Sequence, residues 1–150
     1  MSDEDFYIYR RCLPHWRLGG ATYFLTWRVE PLRADLAPEE RTLVVSALRY
    51  FDDERYELIA HVVMNDHLHA LVKPLRNNRL QDILHSWKSY TTWAFQRTTG
   101  RVGSVWQEEY FDRIVRDEAE LLQKLQYILE NPFRRWPEIV FYPWMGFRQN

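Results

Sequence analysis

The hydrophobic pattern of this chain switches between a period of two and a period of about 3.6, and the order of the switches leaves few folds open. Residues 21–29 are rich in β-branched and aromatic side chains between Gly19-Gly20 and Pro31, which predicts a strand. Pro38 followed by Glu39 and Glu40 opens a helix, because proline suits the first turn and acids suit its positive end. Leu43, Val44, Ala47, Leu48 and Phe51 give that helix one apolar face, and Asp52-Asp53 closes it. Residues 56–63 predict a second strand and Met64-Asn65-Asp66 a turn; residues 67–73 predict a third strand antiparallel to the second. Residues 80–98 are apolar at 80, 83, 84, 87, 91, 94 and 95, the spacing of an amphipathic helix that Gly100 and Gly103 end. Residues 110–115 predict a fourth strand. Asp117 then caps a last helix, with Glu120 placed for a capping box and a core face of Leu121, Leu122, Leu125, Ile128 and Leu129. Pro132 disfavours helical backbone at Asn131 and is expected to end that helix.

The order β-α-β-β-α-β-α predicts an α+β fold: the ferredoxin-like split pattern on an antiparallel sheet, with a C-terminal helix appended. Helices on one face of the sheet are expected to leave the other free for a ligand. At 150 residues a single domain, 1–150, is expected. The one cysteine, Cys12, excludes an internal disulfide and a cysteine-cluster metal site. Apolar runs such as 21–27 and 59–64 are strand-length, too short to cross a bilayer, so no membrane is expected as a partner. The start Met-Ser-Asp-Glu-Asp lacks the regions of a signal peptide, so the expected location is cytoplasmic.

A formal net charge of −1 gives no overall attraction to nucleic acid, but the charges are unevenly spread. Lys73, Arg76, Arg79, Lys88, Arg97 and Arg101 face a single acid, Asp82, between residues 73 and 107, whereas residues 30–57 hold eight acids against four arginines. A basic binding face can hide in a neutral total in this way, and separate solvated helix faces would read the same.

Two groups of residues carry chemistry. His67 and His69 flank Leu68 on the third strand, so both project to one face, a natural start for a metal site. Pairs of this spacing also arise as ordinary half-buried histidines. His15, His61 and His85 have no such company; His61 is expected in the core and His85 on the surface. On the last helix Glu120, Lys124, Tyr127 and Asn131 align at i, i+4, i+7 and i+11, opposite the apolar stripe. A free phenol has a pKa of about 10 and needs a nearby cation or metal to act as a nucleophile near neutral pH. Asn131, one turn on, is placed to offer an amide oxygen. Periodicity alone leaves a reactive site and a solvated face both open.

The two segments together are more specific. Residues 63–72, Val-Met-Asn-Asp-His-Leu-His-Ala-Leu-Val, followed by Tyr127-Ile128-Leu129-Glu130-Asn131-Pro132, resemble the single-tyrosine HUH (IS200-like) transposases, in which two histidines flank a bulky hydrophobic residue. The likeness is greatest to the REP-associated tyrosine transposases. Trp87-Lys88-Ser89, Val105-Trp106-Gln107, Tyr110-Phe111-Asp112 and Ile114-Val115-Arg116-Asp117 agree in order, so the resemblance spans roughly residues 18–136. Asn65 departs from it, standing where the family commonly has proline, as does Phe133-Arg134-Arg135-Trp136-Pro137, where small residues are usual.

The resemblance implies that His67, His69 and Asn131 are metal ligands, with Glu130 as a substitute for Asn131, that Mg2+ or Mn2+ is the cofactor, and that Tyr127 is the nucleophile. It implies a metal-dependent single-stranded DNA endonuclease and transposase that nicks and rejoins DNA through a 5′-phosphotyrosine, at hairpin sites, as a monomer or homodimer. For DNA binding, Ser86, Tyr90, Trp93 and Arg97 form one flank of the long helix, a candidate stacking platform, with Lys73, Arg76, Arg79, Lys88 and Lys124 as candidate phosphate contacts. A dimer interface would use the same flank. Two other classes stay open: a domesticated hairpin-binding regulator without turnover, and an unrelated ferredoxin-like RNA- or small-ligand-binding protein.

Overall fold

The computed structural model describes residues 20–148. Its elements run β1 (Tyr23–Arg28), α1 (Pro38–Tyr50), β2 (Tyr56–Val63), β3 (His67–Pro74), α2 (Leu80–Thr99), β4 (Phe111–Ile114), α3 (Glu118–Arg135) and β5 (Met145–Phe147). The strands form one antiparallel sheet in the order β4-β1-β3-β2-β5. The first four strands and the helices between them make the expected α+β split pattern. Cys12, His15 and Gly19 lie outside the described residues.

The elements begin and end where local chemistry directs. Ala37 has no side chain to cap α1, so Glu40 reaches back to its N–H at 2.9 Å. The Asp52 carboxylate receives the Leu58 N–H at 2.8 Å and ties the end of α1 to β2. Gly100 ends α2 in the left-handed region at φ 75, where a Cβ is unfavourable. Asp117 caps α3 by accepting from the Glu120 N–H at 2.8 Å. The expected capping box is only half made, because the Glu120 carboxylate pairs with Arg113 at 3.1 Å instead.

Three features differ from expectation. α3 does not stop before Pro132 but continues to Arg135 with the proline inside it. A proline in a helix interior costs about 3 kcal/mol. Pro132 is itself buried, and Leu121, Leu125 and Ile128 on the same helix are fully enclosed. Each such burial stabilises by about 1.5–3 kcal/mol, enough to offset the lost hydrogen bond. The second difference is β5, which pairs with the outer edge of β2 through Ala60↔Phe147, His61↔Gly146 and Val62↔Met145. Gly146 makes a close approach there: a Cβ would lie 3.1 Å from the His61 ring, which would have to shift by a few tenths of an ångström. Third, helices cover both faces. α1 and α2 pack on Leu25, Trp27, Leu68, Ala70 and Val72, whereas α3 packs on Phe24, Ile59, Val62 and Leu71 on the other side. The face expected to be free is therefore roofed by α3.

Most aromatics serve the core. Trp27 stacks on Trp106 at 5.2 Å, and the indole N–H groups of Trp87 and Trp106 reach the Tyr56 and Thr91 hydroxyls at 3.0 and 2.9 Å.

Candidate active site

β3 alternation puts His67 and His69 on the face under α3, and the β1–β3 register sets Arg28 opposite His67 and Thr26 opposite His69. The two imidazole rings lie 4.8 Å apart, edge to face. His69 is 3% exposed and stacks on Phe24 at 5.4 Å. Its Nδ1 is 2.9 Å from the Thr26 hydroxyl, while its buried Nε2 has no hydrogen-bond partner. His67 is half-buried, and its Nδ1 is 2.6 Å from an Asp66 carboxylate oxygen.

The α3 helix lowers Tyr127 onto this pair. Its ring stands edge-on to His69 at 5.0 Å and to Phe24 at 6.0 Å, with 40% of the residue exposed. Lys124, one turn earlier, places its Nζ 4.7 Å from the Phe24 ring centroid. Arg134 sits 6.0 Å over the outer face of Tyr127 and is held by Glu130 at 2.8 Å. Glu130 is thus engaged as an ion-pair partner. Asn131 is half-buried one turn beyond Tyr127 and makes no hydrogen bond to either imidazole.

Burial first, and then the positive charges of His67, Arg28 and Lys124, push the His69 pKa down to about 3 against a smaller opposing effect of a backbone hydrogen bond at Leu25. Its imidazole is therefore neutral at physiological pH, the form that can ligate a metal. Burial alone would raise the Asp66 carboxyl. The hydrogen bond from His67, with the charges of His67 and Arg28, holds it below its ordinary value.

His67, His69, Tyr127 and Lys124 therefore converge, with Asn131 close by on the same helix. The candidate DNA contacts on α2 do not join them. Tyr90 and Trp93 are exposed, 6.0 Å apart, and Arg97 lies 5.1 Å over the Trp93 ring, all on the helical layer across the sheet from Tyr127. Lys88 is half-buried on α2 and Arg79 pairs with Asp82 at 3.3 Å. Arg76 donates to the Asp53 and Glu54 carbonyls at 3.1 and 2.6 Å, fastening the turn after α1. Lys73 is 1% exposed with its ammonium 3.7 Å from Glu57, so burial removes it from the phosphate contacts expected of it.

Other histidines fall as expected: His85 is exposed, and His61 is buried on the α1 side of the sheet, away from the pair. Thr26 and Asp66 were not singled out by sequence reasoning. Asp66 precedes His67 directly, but Thr26 is linked to His69 only by strand register, which the sequence does not print.

On the central strand of a split βαβ sheet, two same-face histidines thus meet a helical tyrosine. The family model described as "Transposase IS200 like" matches residues 30–131. This chain belongs to that family. Among solved structures, it is similar to a REP-associated tyrosine transposase bound to a REP hairpin, with a TM-score of 0.66 and 21% identity over 79% of this chain and 70% of that one. It is also similar to a putative transposase from Deinococcus radiodurans R1, with a TM-score of 0.54 and 22% identity over 77% of this chain and 93% of that one. No curated protein sequence matches.

Proposed function

We propose that this chain nicks and rejoins single-stranded DNA, at sites flanked by hairpins, with Tyr127 as nucleophile and a divalent cation at His67 and His69. The observation that carries the reading is the 5.0 Å approach of Tyr127 to His69, which joins residues 58 positions apart into one site. Hairpin DNA is proposed because the similar REP-associated transposase was solved bound to one.

The donor set fits a cation. The His69 Nε2 is buried without a partner, and two imidazole nitrogens with an amide oxygen suit Mn2+ better than Mg2+, which favours oxygen. Asn131, one turn beyond Tyr127, is the proposed third protein ligand because the family resemblance implies it; among the described residues no group of three His, Cys, Asp or Glu side chains closes on one point. A bound cation would supply charge neutralisation at the scissile phosphate. The Tyr127 oxygen attacks phosphorus and gives up its proton, while the leaving 3′ oxygen gains one. The 5′ phosphate stays on the tyrosine, and a 3′-hydroxyl attacking in turn restores the phenol and joins the strands. Lys124, over the Phe24 ring that Tyr127 meets edge-on, and Arg134, over the Tyr127 ring, supply positive charge to the site as the phosphate acquires charge.

The exposed Tyr90-Trp93-Arg97 flank is the proposed platform for unpaired bases. Because it lies across the sheet from Tyr127, a strand stacked there passes around the sheet edge or belongs to a different DNA segment. The test is a cleavage gel on hairpin-flanked oligonucleotides with and without Mn2+. Hairpin-dependent, Mn2+-dependent nicking is expected, and equal behaviour of blunt duplex would contradict the reading.

A further inference from the structure

Resting on the metal-site reading above, we infer that Thr26 and Asp66 are positioning residues that fix the tautomer and orientation of His69 and His67, so that both Nε2 lone pairs face one cation. Asp66 lies in the β2–β3 turn and Thr26 in the middle of β1, so two separate elements contribute one anchor each.

The chemistry of the partners dictates where each proton sits. An Asp66 carboxylate oxygen lies 2.6 Å from His67 Nδ1, and a carboxylate oxygen accepts, so that nitrogen is the N–H donor. With the Nδ1 proton directed at Asp66, Nε2 is the ring nitrogen of His67 left to offer a lone pair to a cation. His69 has two alternatives. A proton on Nε2 would be a buried N–H with no acceptor, because that atom has no partner. A proton on Nδ1 is accepted by the Thr26 hydroxyl at 2.9 Å and leaves the lone pair on Nε2. The second arrangement satisfies the site. The Phe24 stack, 14° from parallel, then fixes the plane of the His69 ring.

Metal-ligating histidines commonly depend on such an outer hydrogen bond, and its loss typically lowers metal affinity by about 10–100-fold. Thr26→Val keeps the shape of the side chain and removes the hydroxyl acceptor, and Thr26→Ser keeps the hydroxyl. Asp66→Ala removes the other acceptor, and Asp66→Asn keeps an amide oxygen there.

The experiment has two readouts on the whole chain. Nitrogen-15 histidine NMR of metal-free protein reads the tautomers, and calorimetric titration with Mn2+ alone reads affinity. Wild type should show both rings protonated on Nδ1. Thr26→Val and Asp66→Ala should each shift the tautomer of their own histidine and weaken Mn2+ binding by about 10–100-fold, while Thr26→Ser restores both readouts. Wild-type tautomers and affinity in Thr26→Val and Asp66→Ala, with Mn2+ binding still lost in His67→Ala, would overturn this inference and leave the metal site standing. Mn2+ affinity unchanged by His67→Ala would overturn the metal reading and this inference with it.

Discussion

Arg101 closes a buried ion pair whose removal has a calculable consequence. Glu40, at the start of α1, is 2% exposed. Its carboxylate accepts from Arg101 Nε at 2.7 Å and Nη2 at 2.8 Å, from the Ala37 N–H at 2.9 Å and from the Thr99 hydroxyl at 3.1 Å. Arg101 also donates to the Ala34 and Asp35 carbonyls at 2.7 and 2.6 Å, tying the loop after α2 to the loop before α1. Arg101→Met keeps an unbranched apolar stem and strands the Glu40 charge. Removing one partner of a buried pair costs about 3–5 kcal/mol, a large share of the 5–15 kcal/mol that holds a typical domain. At about 2–4 °C per kcal/mol for a chain of this size, the melting temperature should fall by roughly 6–20 °C.

The pH dependence supplies an independent sign. Burial, the largest influence on Glu40, would raise its carboxyl, yet the hydrogen bonds and charge of Arg101, with the Ala37 N–H, hold it below its ordinary 4.5. A depressed carboxyl contributes stability that is present above its unfolded pKa and lost as pH falls through the folded one. Without Arg101, burial prevails and the folded pKa rises. The mutant penalty is then greatest at neutral pH and relieved as Glu40 takes a proton. Urea denaturation at pH 7 and pH 5 should show the gap between wild type and Arg101→Met narrowing on acidification. A loss under 1 kcal/mol at pH 7, or a gap that widens, would refute the reasoning, and Glu40→Gln/Arg101→Met should lose less than Arg101→Met alone.

His67→Ala and His69→Ala should each abolish Mn2+-dependent cleavage while leaving the far-ultraviolet dichroism unchanged; full cleavage in excess chelator would sink the metal assignment. Trp93→Ala should weaken single-strand binding by about 1–3 kcal/mol in fluorescence anisotropy, and an unchanged affinity would remove the platform on α2. Wild-type affinity should fall with salt, with a log–log slope of about −0.7 per phosphate contacted on a single strand; a flat salt dependence would contradict backbone contacts.

Local signals located most of the fold. β2 was legible because strand propensity, a turn at Met64-Asn65-Asp66 and the next strand agree over Tyr56–Val63. The C-terminal third was less so. Pro132 is a helix breaker by local rules, and only the long-range burial of α3 overrides it. The three residues of β5 are too few to show a period, and their pairing with β2 is a long-range contact that brings Gly146 close to His61. The same division holds in the site. His67, His69 and Tyr127 were readable from spacing and family likeness, and the structure brings them together. Lys73 was misread because sequence counts its charge without seeing Glu57 or its burial. Thr26 escaped notice because its role comes from cross-strand register with His69.

The central claim is that Tyr127 becomes covalently joined to DNA, and mass spectrometry of the protein after reaction with a hairpin-flanked oligonucleotide and nuclease digestion tests it most directly. Tyr127 is exposed enough to meet a phosphate and sits against His69, and Tyr127→Phe removes one oxygen with little change in packing. The predicted result is a nucleotide adduct on the peptide carrying Tyr127, with nick and adduct both lost in Tyr127→Phe while hairpin binding persists. An adduct on any other tyrosine, or undiminished cleavage by Tyr127→Phe without an adduct, would contradict the account.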